Sequence, residues 1–535
     1  MKKIIILFLL FTFHFILFNS LSADFIIPQN DAVYPFLESM QTLGYMEDTY
    51  FIYPQYHDEI IKILDGFSSK DLSNQYKKLV EYHKERLSCN FSDGFKSAIY
   101  PPKKIQSSIL NLFKPHSDKK HIFTYAKDET KLFFSARIGF HKDFKNEDIT
   151  HLDSIQTRTY EYNGLEFGGN ISDNFGFLTQ YRKGHYSGDT TFIDENLFVH
   201  QSGGETRLLS TCSELDYKNN ILNLSIGYGT FQVGKTITSS IILNPEVTPY
   251  GYLKYYKKFG KFHYLGFVAQ LLPDSLTDQS VDYQTKSYAL QMLYYDSKVF
   301  SFGLGQCAIY GDETLDLAYA TPMMIFKFVD FKSHNRDNMG AFVFGLLRPI
   351  KGFLFYGNIF VDDLKKSRIG TKTGWTGLAF QAGLKFQLFS FPLEFDIETT
   401  AVGPTTYSHS DEYDTETRYT HDTQFLGYSD GSNLLNNAVQ ICYNYPTFQI
   451  KLRYENMQQG NVGQDPFEQN KESEFLANSI SRTERIFAET KINLIPEIGI
   501  HLKYKCEKKY KCEKIDGDAT NYFYTYFYTG LEVRY

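Results

Sequence analysis

The sequence predicts an all-β chain: an outer-membrane-type antiparallel β-barrel of about 18 strands, with a small N-terminal α-helical bundle on the periplasmic side. Three observations predict it. An export signal opens the chain. From Lys131 onward, apolar and polar residues alternate with period two in stretches of about ten residues. The links between those stretches alternate between short and long.

The signal comes first. Lys2 and Lys3 precede an apolar run from Ile4 to Phe18, and small residues follow around Ser20, Ser22 and Ala23. That order is a secretory signal peptide, residues 1–23. Cleavage after Ala23 puts a small residue last but leaves Leu21 third from last; cleavage after Ser22 is the alternative. No cysteine follows closely, so a lipid-anchored N-terminus is not expected. Removing Lys2 and Lys3 takes the formal charge from -7 to -9, and an acidic exported chain is a poor partner for nucleic acid. With 22% charged residues and a mean hydropathy of -0.34, a helical membrane protein is excluded.

Residues 24–120 read as a periplasmic helical region and linker. In "DAVYPFLESMQTLGYM", Val33, Phe36, Leu37, Met40 and Leu43 share one helical face, and Gly44 is placed to end the helix. Pro35 is tolerable only near the start. A second helix is expected from Asp58, with Ile60, Ile61, Leu64 and Phe67. A third runs from about Lys70, with Leu72, Tyr76, Leu79, Tyr82 and Leu87. Beyond Cys89, "PPKK" and polar residues indicate a linker.

Residues 131–535 carry the barrel pattern. "KLFFSARIGF" sets Leu132, Phe134, Ala136, Ile138 and Phe140 on one face. "GLAFQAGLKFQL" sets Leu378, Phe380, Ala382, Leu384, Phe386 and Leu388 against Gln381, Lys385 and Gln387. "PLEFDIET" sets Leu393, Phe395 and Ile397 against Glu394, Asp396 and Glu398. "TFQIKLRYE" sets Phe448, Ile450, Leu452 and Tyr454 against Gln449, Lys451, Arg453 and Glu455. One apolar and one charged face over that length suit a membrane barrel better than a sandwich of shorter strands.

Strand starts fall near 131, 159, 175, 206, 221, 250, 261, 286, 299, 339, 353, 373, 391, 436, 446, 484, 497 and 522. The count is even, as single-chain bacterial barrels have. "SDN", "KNN", "FGK", "DSK", "RPIKG", "FSFP", "NYPT" and "IPE" are the short periplasmic turns. Between them lie long links, notably 311–338, 403–433 and 456–482, which face outside.

No catalytic constellation is present: no nucleophile elbow, HExxH or phosphate-binding loop. The chain reads as non-enzymatic, with no cofactor and no metal site. His334, His409 and His421 sit in long loops and read as solvated. The six cysteines lack CxxC spacing; Cys506 and Cys512, in "YKCEKKYKCEK", are either a disulfide or two free thiols.

The polar, aromatic loops carry more. "LDLAYATPMMIFKF" is too apolar for a loose loop and is expected to pack as a short helix or a cap over the barrel. "SHNRDN" beyond it offers carboxylate, amide and guanidinium groups, which hydrogen-bond hydroxyl pairs while aromatics stack on sugar faces. The alternative is a loop that folds in and satisfies itself.

The run from Phe231 to Asp363, with "IYGDETLDLAYATPM" and "DNMGAFVFGLLRPIKGFLFYGNIFVDDL", resembles the Wzi-type capsule assembly proteins of the outer membrane. "TYSHSDEYDTETRYTHDTQFLGYSDGSN" resembles that family's later loop, with Tyr407, His409, Gly427, Gly431 and Asn433 as marks, and "VYPFLESMQTLGYM" resembles its helical region. The chain departs at "VGKTITSSIILN": Lys235 stands where the family has Arg after Gly, no Trp-Gly follows, and the only tryptophan is Trp375.

The resemblance implies an eighteen-stranded barrel with a periplasmic helical bundle, acting as a lectin that helps attach capsular polysaccharide to the cell surface. A porin-like diffusion channel is the alternative reading of such a barrel. The residues expected to meet glycan are Tyr319, His334, Asn335, Arg336, Asp337, Asn338, Asp362, Asp363, Tyr407, His409, Tyr522 and Tyr524. By parity, Phe523, Phe527, Leu531, Val533 and Tyr535 face lipid. Tyr522, Tyr524, Tyr526 and Tyr528 face inward, either against a folded-in loop or toward a glycan. The spacing Tyr528, Gly530, Val533, Tyr535 resembles the C-terminal signal read by the barrel assembly machinery. The expected partners are therefore surface polysaccharide, outer-membrane lipid and that machinery.

Overall fold

The computed structural model describes residues 26–27, 31–46, 55–87, 94–97, 121–146, 156–188, 198–202, 205–219, 221–272, 286–311, 316–330, 337–362, 371, 373–408, 417–445, 448–462, 474–476, 480–495, 498–512 and 521–534. Among these, eighteen antiparallel strands close into a barrel. They are β1 Thr130–Asn146, β2 Gln156–Ser172, β3 Phe175–Gly188, β4 Glu205–Tyr217, β5 Asn223–Gly229 and β6 Tyr250–Phe259. Next come β7 Phe262–Leu271, β8 Lys286–Asp296, β9 Phe300–Gly311, β10 Asp337–Leu347, β11 Phe353–Val361 and β12 Leu378–Gln387. The last six are β13 Leu393–Val402, β14 Leu434–Tyr445, β15 Phe448–Gly460, β16 Ile480–Ile495, β17 Ile498–Cys512 and β18 Asn521–Arg534. Each pairs with its sequence neighbour, and β18 closes on β1 with Leu531 opposite Phe140.

Strand positions follow the alternation. The largest offset is at β12, expected from 373 and observed from Leu378, because residues 373–377 form a turn. Lengths are less uniform than expected. β5 has 7 residues, whereas β1 and β2 have 17 each, so one side of the wall stands taller than the other.

The alternation has the physical meaning read from it. Ile138, Phe140, Phe395, Ile397, Leu452 and Leu531 are exposed on the outer wall. Gln381, Lys385, Gln387, Glu394, Asp396, Glu398 and Glu455 point inward and are buried. A closed barrel has no free edge, so every strand's backbone is paired and the outer face can be wholly apolar.

The short turns gather at one end, where three helices dock: α1 Val33–Thr42, α2 His57–Ser68 and α3 Asn74–Leu87. Val33, Phe36, Leu37, Met40 and Leu43 are buried, and Gly44 ends α1 at φ +75°, where a side chain would be strained. α3 begins at Asn74, later than expected from Lys70, yet Leu72 is still buried. Docking is specific. The Tyr76 hydroxyl donates to the Leu388 and Phe391 carbonyls, both at 3.0 Å, and Gly352 N–H donates to the Thr42 carbonyl at 2.9 Å. Lys218 reaches Glu59 at 3.1 Å.

The region before the barrel is not purely helical. Gly94–Ser97 pairs with Phe123–Lys127, which extends the sheet from β1, and Ile26–Ile27 pairs with Gln55–Tyr56. The signal peptide and most of the linker lie outside the described residues. Cys506 and Cys512 sit six positions apart on the continuous strand β17. That spacing separates them by about 20 Å, far beyond disulfide reach, and Cys506 is free.

The helical unit carries an acid-sensitive pair. His83 is buried and stacked on Phe36 at 4.9 Å. Burial, and then the nearby Arg86 cation, lower its pKa to about 3. Burial alone would raise Asp31, but the Arg86 guanidinium, which donates at 2.8 Å, outweighs it and holds the carboxyl at about 2. Both folded values lie below the unfolded ones, so both stabilise docking at neutral pH. The His83 contribution is lost as pH falls from about 6.5 toward 3, and that of Asp31 between about 4 and 2. Protection factors of the α1 and α3 amides, corrected for the pH dependence of intrinsic exchange, should therefore fall below about pH 6.5, by the equivalent of a few kcal/mol, and His83→Gln should flatten that upper phase.

Candidate functional site

The barrel interior is filled from both ends. β5 stops after 7 residues, and the chain from 230 to 249 turns into the lumen. The run "ITSSIILN" explains why: Ile241, Ile242 and Leu243 are fully buried, together with Phe231, Val233 and Val247. Its backbone is satisfied by inward side chains of the wall. The Glu398 carboxylate accepts from Ile237 N–H at 2.9 Å, from the Thr236 hydroxyl at 3.1 Å, from the Thr238 hydroxyl, and from the Tyr356 hydroxyl at 2.7 Å. Gln381 donates to the Ser239 carbonyl at 2.9 Å, and Asn358 donates to the Lys235 carbonyl at 2.9 Å. Gly234 has φ +87°, and a Cβ there would meet the Asn358 amide at 3.0 Å, so the close approach requires glycine.

The later link, described over 403–408 and 417–433, folds in from the opposite end. Tyr407 and Tyr419 stack with ring centres 5.6 Å apart. Their hydroxyls donate to the Ile241 and Ile242 carbonyls at 2.8 and 2.6 Å. Asn244 N–H donates to the Leu426 carbonyl at 2.7 Å. Asp430 anchors this link to the wall through two bonds from Arg485, at 2.7 and 2.6 Å.

The helices close the other end at the same place. Glu38 of α1 pairs with Lys235 at 3.1 Å and lies 3.7 Å from Lys385. Lys385 also pairs with Glu394 at 2.8 Å and Asp396 at 3.4 Å. Lys235 thus ties the inner loop to the helical unit, at the position where the chain departs from the Gly-Arg pattern. Beside this contact remains a cavity of about 340 Å³, lined by Glu38, Thr236, Lys385, Glu394, Lys451 and Arg453 among others. Among the described residues no aromatic ring lines it, so these offer a sugar hydrogen bonds but no stacking surface.

Among the described residues, the expected glycan residues are not all brought to one place. Asp362 and Tyr407 meet: the carboxylate accepts from Tyr407 N–H at 2.9 Å, and the Tyr407 ring is buried. Tyr319 is buried elsewhere, stacked on Tyr310 at 4.6 Å. Asn338 is buried in β10, and Asp337 opens that strand, its side chain outside the described residues. Tyr522 and Tyr524 lie near the outer end of β18, opposite Lys509 and Glu507, and their side chains are also outside the described set. His334, Asn335, Arg336, Asp363 and His409 lie outside the described residues.

One expectation is corrected and one is narrowed. His421 is not solvated: it is buried, and its Nδ1 accepts from Leu272 N–H at 2.9 Å. The "LDLAYATPMMIFKF" segment is folded, as α4 Leu317–Ala320 and α5 Phe326–Asp330, but it does not cap the barrel mouth. It packs on the outer wall, against Tyr310, Ala308, Ala289 and Val268, whose neighbours in sequence face the lumen. The inner loop at 230–249 was missed altogether; its signal was an apolar run too long for a solvated link. Also missed was Trp375, which is 39% exposed and stacks on Phe475 at 5.4 Å between two long outer links.

No protein-family model and no curated protein match the chain. Solved structures do. Wzi of Escherichia coli, an outer-membrane carbohydrate-binding β-barrel involved in group 1 capsule assembly, is similar with a TM-score of 0.59 and 10% identity, over 95% of this chain and 99% of that one. The Pseudomonas aeruginosa outer-membrane protein OpdK is similar with a TM-score of 0.43 and 7% identity, over 75% of this chain and 99% of its own. OprD of the same organism gives 0.43 and 10%, over 75% and 93%. At these identities the likeness to Wzi is one of fold: the chain is an outer-membrane-type β-barrel.

Proposed function

We propose that this chain is a non-enzymatic outer-membrane barrel that binds exported or capsular polysaccharide at the cell surface. The observation that carries the reading is the filled lumen. Two links meet inside the barrel, and α1 of the docked helical unit joins the first of them at Lys235, through buried hydrogen bonds and ion pairs; that arrangement supports a binding protein over a diffusion channel. Binding then falls to the outer links, where residues 334–337, Asp362, Asp363, His409, Tyr522 and Tyr524 are proposed contacts, while the buried Asn338 supports them from the strand. Tyr319 and Tyr407 are proposed to hold those links in place through their buried rings. Trp375 on Phe475 adds an exposed aromatic face of the kind sugars stack on. In this reading the chain inserts through the barrel assembly machinery by way of Tyr528, Gly530, Val533 and Tyr535.

The test has two arms. Purified protein in planar bilayers should be electrically silent; a large steady conductance would overturn the reading in favour of a porin. Cells expressing the protein should retain surface polysaccharide, and Trp375→Ala should weaken glycan binding by about tenfold, roughly 1.4 kcal/mol, with the barrel still folded.

A further inference from the structure

We infer that the segment from Asp316 to Asp330 is a membrane-embedded flap, laid against the barrel's outer wall and covered by the acyl chains of the outer leaflet. The wall beneath it breaks the apolar rule. Gln291 of β8 and Gln306 of β9 share the outward parity of Leu293, Phe302 and Leu304, which are exposed to the surroundings. They face each other directly, at the sixth of the eleven registered pairs between these strands, and so lie about midway down the wall. Two outward glutamines at that depth are expensive in lipid unless both ends of each amide are bonded.

The flap bonds them. Gln291 donates to the Thr321 carbonyl at 2.7 Å and to the Tyr319 carbonyl at 3.3 Å, and its oxygen accepts from the Tyr264 hydroxyl at 2.9 Å. Gln306 donates to the Met324 carbonyl at 2.5 Å and accepts from Phe326 N–H at 3.0 Å. The rest of the irregular stretch is satisfied in the same way. Met323 N–H donates to the Tyr264 oxygen at 2.6 Å, Ala318 N–H to Asp316 Oδ1 at 2.7 Å, and the Thr321 hydroxyl to the Leu317 carbonyl at 2.6 Å. Pro322 has no N–H to satisfy. Irregular backbone survives at membrane depth only when its polar groups are internally bonded, and the N–H groups of Ala318, Ala320, Thr321, Met323, Met324, Phe326 and Phe328 all find acceptors within the protein.

Its other side is apolar. Leu317, Met323, Ile325 and Phe328 are 73%, 67%, 54% and 61% exposed, and they continue the outward belt of Leu293, Phe302 and Leu304. Lys327, exposed beside Phe328, has a four-carbon stem that can carry its charge toward the headgroups. The occupant is argued from that continuity: the surface that covers the belt covers the flap.

The single tryptophan makes the test direct. In a Trp375→Phe background, Phe328→Trp and Met323→Trp report separately from the flap in proteoliposomes. With brominated phosphatidylcholines, both should show blue-shifted emission and a clear loss of intensity. Gln291→Ala with Gln306→Ala should shift the emission red and relieve the quenching, while heat-modifiable gel mobility confirms a folded barrel. Emission that brominated lipid leaves unquenched in the wild-type flap overturns the inference. Red unquenched emission would mean exposure to water, and blue unquenched emission a protein cover such as a second copy.

Discussion

Glu398→Ala should convert a silent barrel into a conducting one. The carboxylate accepts five bonds, three of them from the inner loop at Thr236, Ile237 and Thr238 and the others from Tyr356 and Gln381 of the wall. Bonds to a charged group contribute about 1.5–3 kcal/mol each, and donors left buried without an acceptor cost a further increment. Losing this acceptor therefore weakens the loop's seat by several kcal/mol, a shift of about two to three decades in the population of an open lumen. The loop keeps its bonds from Tyr407, Tyr419, Asn358 and Gln381, so openings should be flickering rather than permanent. Single-channel recording is the readout, with Glu398→Gln as the intermediate case because its amide oxygen still accepts. A folded Glu398→Ala barrel as silent as the wild type would show that the loop does not gate the lumen.

Lys385→Met should have the largest effect on stability. Lys385 is 3% exposed, and its ammonium faces Glu394, Asp396 and Glu38. Removing it strands carboxylates in a buried site, at a cost of about 3–5 kcal/mol. The temperature at which the protein loses its folded gel mobility should fall. The helical unit should also become protease-sensitive, since Glu38 then holds only Lys235 of these two lysines. Adding Glu394→Gln should recover part of the loss, because one stranded charge is removed. An unchanged transition in Lys385→Met would mean that water already screens this cluster.

Much of this was legible beforehand. Inward Gln381, Lys385, Glu394, Asp396 and Glu398 and outward Phe380, Phe395 and Ile397 follow from period two, because a strand must alternate its faces and a barrel must turn one of them to lipid. Strand order followed from link lengths, since short turns leave only neighbouring strands to pair. What the inward charges do was not legible. Glu398 and Lys385 looked alike, as polar residues of one face, yet one seats a loop from residues 236–238 and the other binds a helix from residue 38. Those partners lie more than a hundred residues away, and no local pattern encodes them.

The barrel, its strand positions, its apolar belt and the presence of three helices before it can all be read from the order of residues. All are set by local periodicity, which a pleated strand or a helical turn reads directly. The tertiary structure alone decided where the links go. The run at 237–243 and the run at 317–328 are both too apolar to stand in water, so each had to be buried. Which side of the wall receives them depends on which distant polar groups meet their backbones: Glu398, Gln381 and Asn358 inside for the first, Gln291, Gln306 and Tyr264 outside for the second.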